Sequence, residues 1–140
     1  MATAKFLSGY NCAQSVLYAF HDEVGLDEDL ALKIATGLGA GMARKQEVCG
    51  AVTGGILVLG LRHGRGNAAD RSATEQTYQR TRALMDAFAA KHGSCVCRRL
   101  LQGVDLATDE GQRRFKGDDL LNKVCKPCVQ GVVEILERMK

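Results

Sequence analysis

The sequence has no tryptophan, only one proline and few aromatic residues. One proline among sixteen glycines leaves long segments free to form helices and favours an all-α fold. A long hydrophobic run is also missing: residues 48–61 are interrupted by four glycines and are shorter than the roughly 20 residues of a transmembrane helix. We therefore predict that this segment is a buried core helix and that the protein does not associate with membranes.

Neither sign of charge dominates the sequence, which has 19 basic and 16 acidic residues. Without a strong basic excess or interleaved aromatics, nucleic acid is not an expected partner. Residues 1–9 contain one lysine, no apolar run and no arginine pair, so they do not resemble an export signal. We expect a single domain, residues 1–140, located in the cytoplasm.

The sequence nevertheless contains six cysteines. In a reducing compartment disulfides are transient, and clustered thiols usually bind metal or perform redox chemistry. The alternative is that these cysteines are inert, because a free cysteine is also a small residue that is commonly buried. The positions of the cysteines in the fold decide between these interpretations.

A hydrophobic period near 3.6 predicts a compact all-α bundle of about five or six helices. Asn11 and Asp27 are expected N-caps, and the glycine-rich third helix, apolar nearly all round, is expected at the centre. Pro127 should kink the last helix or start its second part, and residues 103–117 are expected to be a polar connection with about one turn of helix. The predicted helices span residues 11–24, 27–45, 49–63, 70–92, a short segment after Ser94, and 118–139.

Short connections make successive helices antiparallel, which brings the cysteines to one end of the bundle. They are Cys12, Cys49, Cys95, Cys97, Cys125 and Cys128. Cys12 and Cys49, and by the same argument Cys97 and Cys128, lie in first helical turns, where unpaired backbone amides favour a thiolate. We therefore predict lowered thiol pKa values, which both metal binding and thiol exchange require.

Two short motifs need separate interpretation. Cys125-Lys-Pro-Cys128 is a CxxC motif, but it lies in a helical pattern with no neighbouring strand, so a thioredoxin-like fold is not expected. Residues 37–45, GLGAGMARK, lack the Gly-Lys-Ser/Thr ending of a phosphate-binding loop and are interpreted as a helix-packing segment closed by Arg44 and Lys45. Thiolate clusters of this kind suit an iron-sulfur cluster or a structural zinc ion, and also dithiol chemistry.

The chain resembles the C_GCAxxG_C_C family, whose description is that of redox-active proteins. The resemblance extends over nearly the whole chain and rests on Gly9-Tyr10-Asn11-Cys12-Ala13-Gln14-Ser15-Val16-Leu17, the glycine-rich residues 37–42, Cys49-Gly50-Ala51-Val52-Thr53-Gly54, Cys97-Arg-Arg-Leu-Leu and the last cysteine-bearing helix. It implies a four-cysteine set of Cys12, Cys49, Cys97 and Cys125, with Cys128 as the alternative to Cys125. It also implies an iron-sulfur centre.

The sequence thus leads to three functional hypotheses. The first is a redox-active protein that binds an iron-sulfur or other metal centre through Cys12, Cys49, Cys97 and Cys125, for electron transfer or in support of an oxidoreductase. The second is a metal-free thiol-disulfide oxidoreductase in which Cys12 and Cys49 are catalytic. The third is a structural zinc site in an interaction protein. Whether the protein is an enzyme is open; the expected partner is a redox protein or oxidoreductase, and glycine-rich helix faces make a homodimer plausible.

Overall fold

The computed structural model describes residues 1–68 and 70–140, and this part of the chain is all-α. It contains no strand, and the one isolated β-bridge in it joins Val48 to Val96. The number of helices is slightly above the predicted five to six, while the predicted fold class is confirmed. The helices are α1 (Ala2–Leu7), α2 (Cys12–Phe20), α3 (Glu28–Ala35), α4 (Gly50–His63), α5 (Arg71–His92), α6 (Cys97–Leu100), α7 (Asp109–Gly117) and α8 (Lys126–Arg138).

Helices α2 and α3 begin at the caps that the sequence predicts. The Asn11 side chain accepts a hydrogen bond from the Gln14 amide at 2.9 Å, and the Gln14 side chain accepts one from the Asn11 amide at 3.0 Å. This reciprocal pair satisfies two of the amides that a helix start leaves free. Asp27 caps α3 by accepting from the Leu30 amide. The two caps therefore determine the residues at which α2 and α3 begin.

Helix α4 lies at the centre, as predicted, because its glycines let other helices approach closely. A Cβ on Gly54 would lie 2.7 Å from the carbonyl oxygen of Ala13, so α2 and α4 touch through their backbones. A Cβ on Gly55 would lie 2.9 Å from Val132 in α8 and 3.0 Å from Leu84 in α5. Helix α4 is therefore packed against α2, α5 and α8, and its first turn is held beside that of α2.

The predicted helix over residues 27–45 is wrong beyond Ala35. A short 3-10 turn, Thr36–Leu38, follows α3, and residues 40–44 then all have positive φ, between 54° and 71°. We call residues 40–44 the left-handed turn. A left-handed backbone costs about 1–2 kcal/mol for each residue that carries a Cβ, so hydrophobic periodicity gives no warning of it. Arg44 and Lys45 consequently do not close a helix.

Gln46 anchors the left-handed turn to a distant part of the chain. Its side chain, which is 2% exposed, donates a hydrogen bond to the Val104 carbonyl at 2.7 Å and accepts one from the Leu106 amide at 2.8 Å. Gly41 is required inside the turn, because a Cβ there would lie 2.5 Å from the Cα of Gln46. These contacts hold a strained segment in one conformation.

The polar connection predicted at residues 103–117 is also wrong, because its second half forms α7. Thr108 caps this helix by accepting a hydrogen bond from the Gly111 amide at 2.9 Å. Helix α1 at the N-terminus was not predicted either. Both helices are short, and α7 is mostly polar, so neither has a hydrophobic stripe that stands out in the sequence.

The last helical segment is divided where the sequence predicts a break. Residues Leu121–Cys125 form a π-helical turn, and α8 begins at Lys126 with Pro127 in its first turn. Proline is tolerated there because its missing N–H is not needed for a helical hydrogen bond. Within residues 1–68 and 70–140, each helix falls short of a membrane span in length or in hydropathy.

Candidate functional site

Five of the six cysteines line one cavity of about 310 Å³. It lies where the two apolar clusters of the fold meet, one around α2, α4, α5 and α8 and the other around α6 and the chain that follows it. The cysteines come from the starts of α2, α4 and α6, the end of the π-helical turn and the start of α8. They are Cys12, Cys49, Cys97, Cys125 and Cys128. The structure therefore brings together all four cysteines of the predicted set and also the alternative, Cys128.

Cys49 is the N-cap of α4 and is 6% exposed. A hydrogen bond from the Cys128 thiol lowers the pKa of Cys49, burial opposes this change, and the backbone amides of Ala51 and Val52 lower it further. The amides are those that the first turn of a helix leaves without partners. Cys49 is thus the cysteine whose thiolate this fold stabilises.

Cys128 is the proton-holding partner of Cys49. Its hydrogen bond to Cys49 is the main reason that the Cys128 pKa lies far above its ordinary value, and burial and the neighbouring thiols raise it further. Cys128 is 2% exposed. The hydrogen bond between the two thiols therefore favours negative charge on Cys49 and the proton on Cys128.

Cys12 and Cys125 form a second pair of neighbouring thiols. The pKa of Cys12 is raised well above its ordinary value, first by its hydrogen bond with Cys125 and then by burial and the charges of the other thiols. The predicted lowering at this helix start is wrong. One reason is that the Asn11 side chain already accepts the hydrogen bond of the Gln14 amide.

Cys97 lines the same cavity without a lowered pKa. Burial, followed by the charges of Cys49 and Cys125, raises the pKa of Cys97 to about 12, although Gln46 acts in the opposite direction. Its first-turn position in a four-residue helix does not outweigh burial, so the predicted lowering is wrong here too. The pKa of Cys128 is also raised, so the lowering predicted for its first-turn position is wrong as well.

Cys95 lies outside the cavity. Its thiol donates a hydrogen bond to the Met85 carbonyl at 3.3 Å, and its own carbonyl accepts one from the Cys49 amide at 2.7 Å. The backbone of Cys95 thus positions Cys49, while its thiol points to α5. Gly50 completes the local arrangement, since a Cβ there would lie 3.2 Å from the Cβ of Cys12.

The donor atoms suit a thiolate-bound metal centre, but their positions do not. In the described residues, no three side chains of cysteine, histidine, aspartate or glutamate are grouped so that they could hold a metal ion. All six cysteines are free thiols. Cys12, Cys49, Cys97 and Cys125 therefore share a cavity but do not surround a single point in this structure.

Arg44 is a lining residue that the sequence interpretation missed. It lies in the left-handed turn together with Ala40 and Gly41, and all three line the cavity. The sequence pattern of GLGAG predicts helix packing. Gly39 does lie in close contact with another segment, because a Cβ there would overlap the Asn11 side chain. The backbone of residues 40–44, however, is left-handed and not α-helical.

The pH dependence of alkylation tests the Cys49–Cys128 pair. Because its pKa is lowered, Cys49 should react with iodoacetamide along a curve whose midpoint lies below 9.0, so that reactivity is lost only as pH falls through the shifted pKa. Quantitative mass spectrometry of the peptide that contains Cys49 measures this curve. Cys128→Ala should move the midpoint upward by removing the hydrogen-bond donor.

Cys128→Ser is the matched control, because the serine hydroxyl can still donate to the thiolate. Its midpoint should lie below that of Cys128→Ala. A midpoint at or above 9.0 in the unmodified protein would contradict the stabilised thiolate, and the same midpoint in both variants would contradict the role of the Cys128 hydrogen bond.

Comparison with known proteins places the chain in a family described as redox-active. A family model described as "Putative redox-active protein (C_GCAxxG_C_C)" matches residues 10–139, a range that contains all six cysteines. No curated protein and no solved structure matches the chain. With this match over most of its length, the chain belongs to the C_GCAxxG_C_C family.

Proposed function

We propose that this redox-active protein works by thiol-disulfide exchange, with Cys49 as the attacking thiolate and Cys128 as the resolving thiol. The observation that carries the proposal is that Cys49 and Cys128 are buried in the wall of the same cavity, where the hydrogen bond between them lowers the pKa of Cys49 and raises that of Cys128. A nucleophilic thiolate next to a second thiol is the arrangement that dithiol chemistry requires.

The reaction follows from the positions of the charge and the proton. The Cys49 thiolate attacks one sulfur of a substrate disulfide, the substrate S–S bond breaks, and the departing thiolate takes the proton of Cys128. Cys128 then attacks the sulfur of Cys49 and releases the second half of the substrate, which is protonated by solvent. The substrate gains two electrons and becomes two thiols, while Cys49 and Cys128 become a disulfide.

Cys12 and Cys125 offer a route for returning the protein to its reduced form. Cys125 lies one helical turn before Cys128 and beside Cys12, and both members of this outer pair are less buried than Cys49 and Cys128. A thiol of the outer pair can open the inner disulfide and leave a disulfide nearer the surface. We propose that a redox partner protein or an oxidoreductase reduces this outer disulfide. A reducing compartment such as the cytoplasm suits this cycle.

An iron-sulfur centre bound by Cys12, Cys49, Cys97 and Cys125 is the second candidate. The observation in its favour is that the charges of neighbouring cavity thiols help to raise the pKa values of Cys12, Cys97 and Cys128. A bound cation would remove that repulsion and favour the thiolates. The side chains would have to turn toward a common centre first, since no three are so placed in the described residues. Zinc would make the same demand.

Anaerobic purification followed by metal analysis and disulfide mapping separates these candidates. For thiol-disulfide exchange we expect less than stoichiometric metal. We also expect each reduced Cys49–Cys128 pair, the inner pair, to reduce one molecule of a small disulfide, and a Cys49–Cys128 disulfide to be found in the mapped peptides. Stoichiometric iron with acid-labile sulfide, or stoichiometric zinc, with thiols that do not react would overturn the proposal in favour of a metal site.

A further inference from the structure

Arg44 contributes a cationic, exposed side chain to the wall of the cavity that contains the thiols. It is the one Arg, Lys, Asp or Glu among the described residues that line the cavity. The rest of the wall is apolar apart from the thiols and the neutral groups of Tyr10, Asn11 and Gln112. No ion pair with an acidic side chain engages Arg44 in the described part of the chain. Its guanidinium is therefore free to bind an anion.

The left-handed turn fixes where Arg44 lies. The amides of Ala43 and Glu47 donate hydrogen bonds to the carbonyls of Gly39 and Gly41, both at 2.9 Å. Gln46, which follows the turn, is buried and hydrogen-bonded to the backbone of Val104 and Leu106. Four non-glycine residues adopt a costly backbone in this short segment. Backbone strain of this kind is kept where the surrounding structure over-determines it, commonly at functional sites.

The size of the cavity limits the substrate to a small molecule. Its volume of about 310 Å³ is at the lower end of the range for small-molecule sites, roughly 300–1,000 Å³. Cys49 is only 6% exposed, so the rigid surface of a folded protein cannot bring its own disulfide to that sulfur. A slender molecule with a sulfur-sulfur bond can enter along the apolar wall.

We propose that the substrate is a small organic disulfide that carries a carboxylate, which Arg44 binds while Cys49 attacks the sulfur. This inference rests on the proposed thiol-disulfide exchange and adds the chemical class of the substrate. The electrons and protons follow the scheme given above: Cys49 and Cys128 lose two electrons, and the substrate leaves as two carboxylate-bearing thiols. Arg44 takes no part in bond breaking; it is a binding residue.

Three symmetrical disulfides that differ in charge test the proposal. They are dithiodipropionate, which is anionic, bis-hydroxyethyl disulfide, which is neutral, and cystamine, which is cationic. The rate of Cys49–Cys128 oxidation is measured for each with the reduced full-length protein, and is divided by the rate with a free model thiol to remove intrinsic reactivity. We expect the order anionic, neutral, cationic from fastest to slowest.

Charge substitutions at one position sharpen the test. Arg44→Gln should slow the anionic disulfide by about three- to fivefold, as for one exposed charge pair, and leave the neutral disulfide unchanged. Arg44→Glu should reverse the order of the anionic and cationic disulfides. Lys45→Gln is the matched control, because Lys45 is the adjacent exposed cation and does not line the cavity; its rates should equal those of the unmodified protein.

The possible outcomes separate this inference from the function on which it rests. Equal normalised rates for all three disulfides, or an unchanged order in Arg44→Glu, would overturn the role of Arg44 and leave the exchange chemistry intact. A protein in which no disulfide of any charge oxidises Cys49 and Cys128 would overturn the proposed function itself. Loss of the anionic preference at high salt, with the neutral rate unchanged, would support the charge-based recognition.

Discussion

Replacing Cys49 by serine is expected to slow the reduction of a small disulfide by at least about a hundredfold. The serine hydroxyl stays protonated at neutral pH and is a poor nucleophile toward sulfur, and burial still raises the pKa of the remaining Cys128 thiol. The measurement is the rate of thiol release from the substrate under anaerobic conditions. Cys95→Ser is the matched control, because the Cys95 thiol faces the Met85 carbonyl outside the cavity.

Cys128→Ser gives the complementary result. Without a resolving thiol, the first step should stop at a mixed disulfide between Cys49 and half of the substrate, which intact-mass spectrometry detects as an adduct that dithiothreitol removes. A Cys49→Ser variant with the normal rate, or an adduct formed mainly on another cysteine, would contradict the assignment of roles. Equal losses in Cys49→Ser and Cys95→Ser would indicate a general structural effect.

Gly41→Ala is expected to lower the free energy of unfolding by about 2–4 kcal/mol. The new Cβ would lie 2.5 Å from the Cα of Gln46 and 2.7 Å from the Glu47 nitrogen, and neither backbone atom can move easily. Gly41 also has a φ of 65°, where a side chain adds strain. Urea unfolding under reducing conditions, followed by circular dichroism, measures the change.

Ala43→Gly is the opposite substitution in the same turn and should stabilise the protein by about 1 kcal/mol. Ala43 is exposed and has φ 56° and ψ 43°, a conformation that glycine adopts without the steric cost of a Cβ. If Ala43→Gly destabilised the protein while Gly41→Ala did not, residues 40–44 could not have the left-handed backbone described above.

The parts of the fold that sequence predicts best are those with a hydrophobic stripe and a cap. Residues 49–63 and 70–92 were predicted within a residue of α4 and α5, because long apolar or amphipathic runs with clear ends leave little choice. The Asn11 cap follows from the same reasoning. Helix α7 has weaker signals, a Thr108 cap followed by Asp109 and Glu110, and its polar sequence shows no hydrophobic stripe to support them.

The left-handed turn could not be predicted from periodicity. In residues 37–45 the apolar positions fit a helix, and the glycines are compatible with close packing. What decides the conformation is tertiary: the space left beside Asn11 and the hydrogen bonds of the Gln46 side chain with residues about sixty positions away. The role of Arg44 was missed for the same reason, since a basic residue after a helical pattern is typical of a helix end.

For the candidate site, antiparallel helix order was enough to predict that the cysteines lie at one end. It was not enough to predict their pKa values. The rule that a helix start lowers a thiol pKa holds at Cys49, whose amides are free to help, but not at Cys12, Cys97 or Cys128, where burial and neighbouring thiols dominate. The identity of the pairs depends on side-chain positions that no spacing along the chain reveals.

The pairing of Cys49 with Cys128 also has a consequence for how the chain matures. Six cysteines allow on the order of fifteen complete pairings, and in an unfolded chain short loops such as those between Cys95 and Cys97 or Cys125 and Cys128 close most readily. The partner of Cys49 lies in α8, which follows α5, α6 and α7 in the chain, so native pairing depends on helix packing that exists only once α8 has been synthesised. Oxidation that precedes folding would therefore trap local loops and keep the inner pair apart.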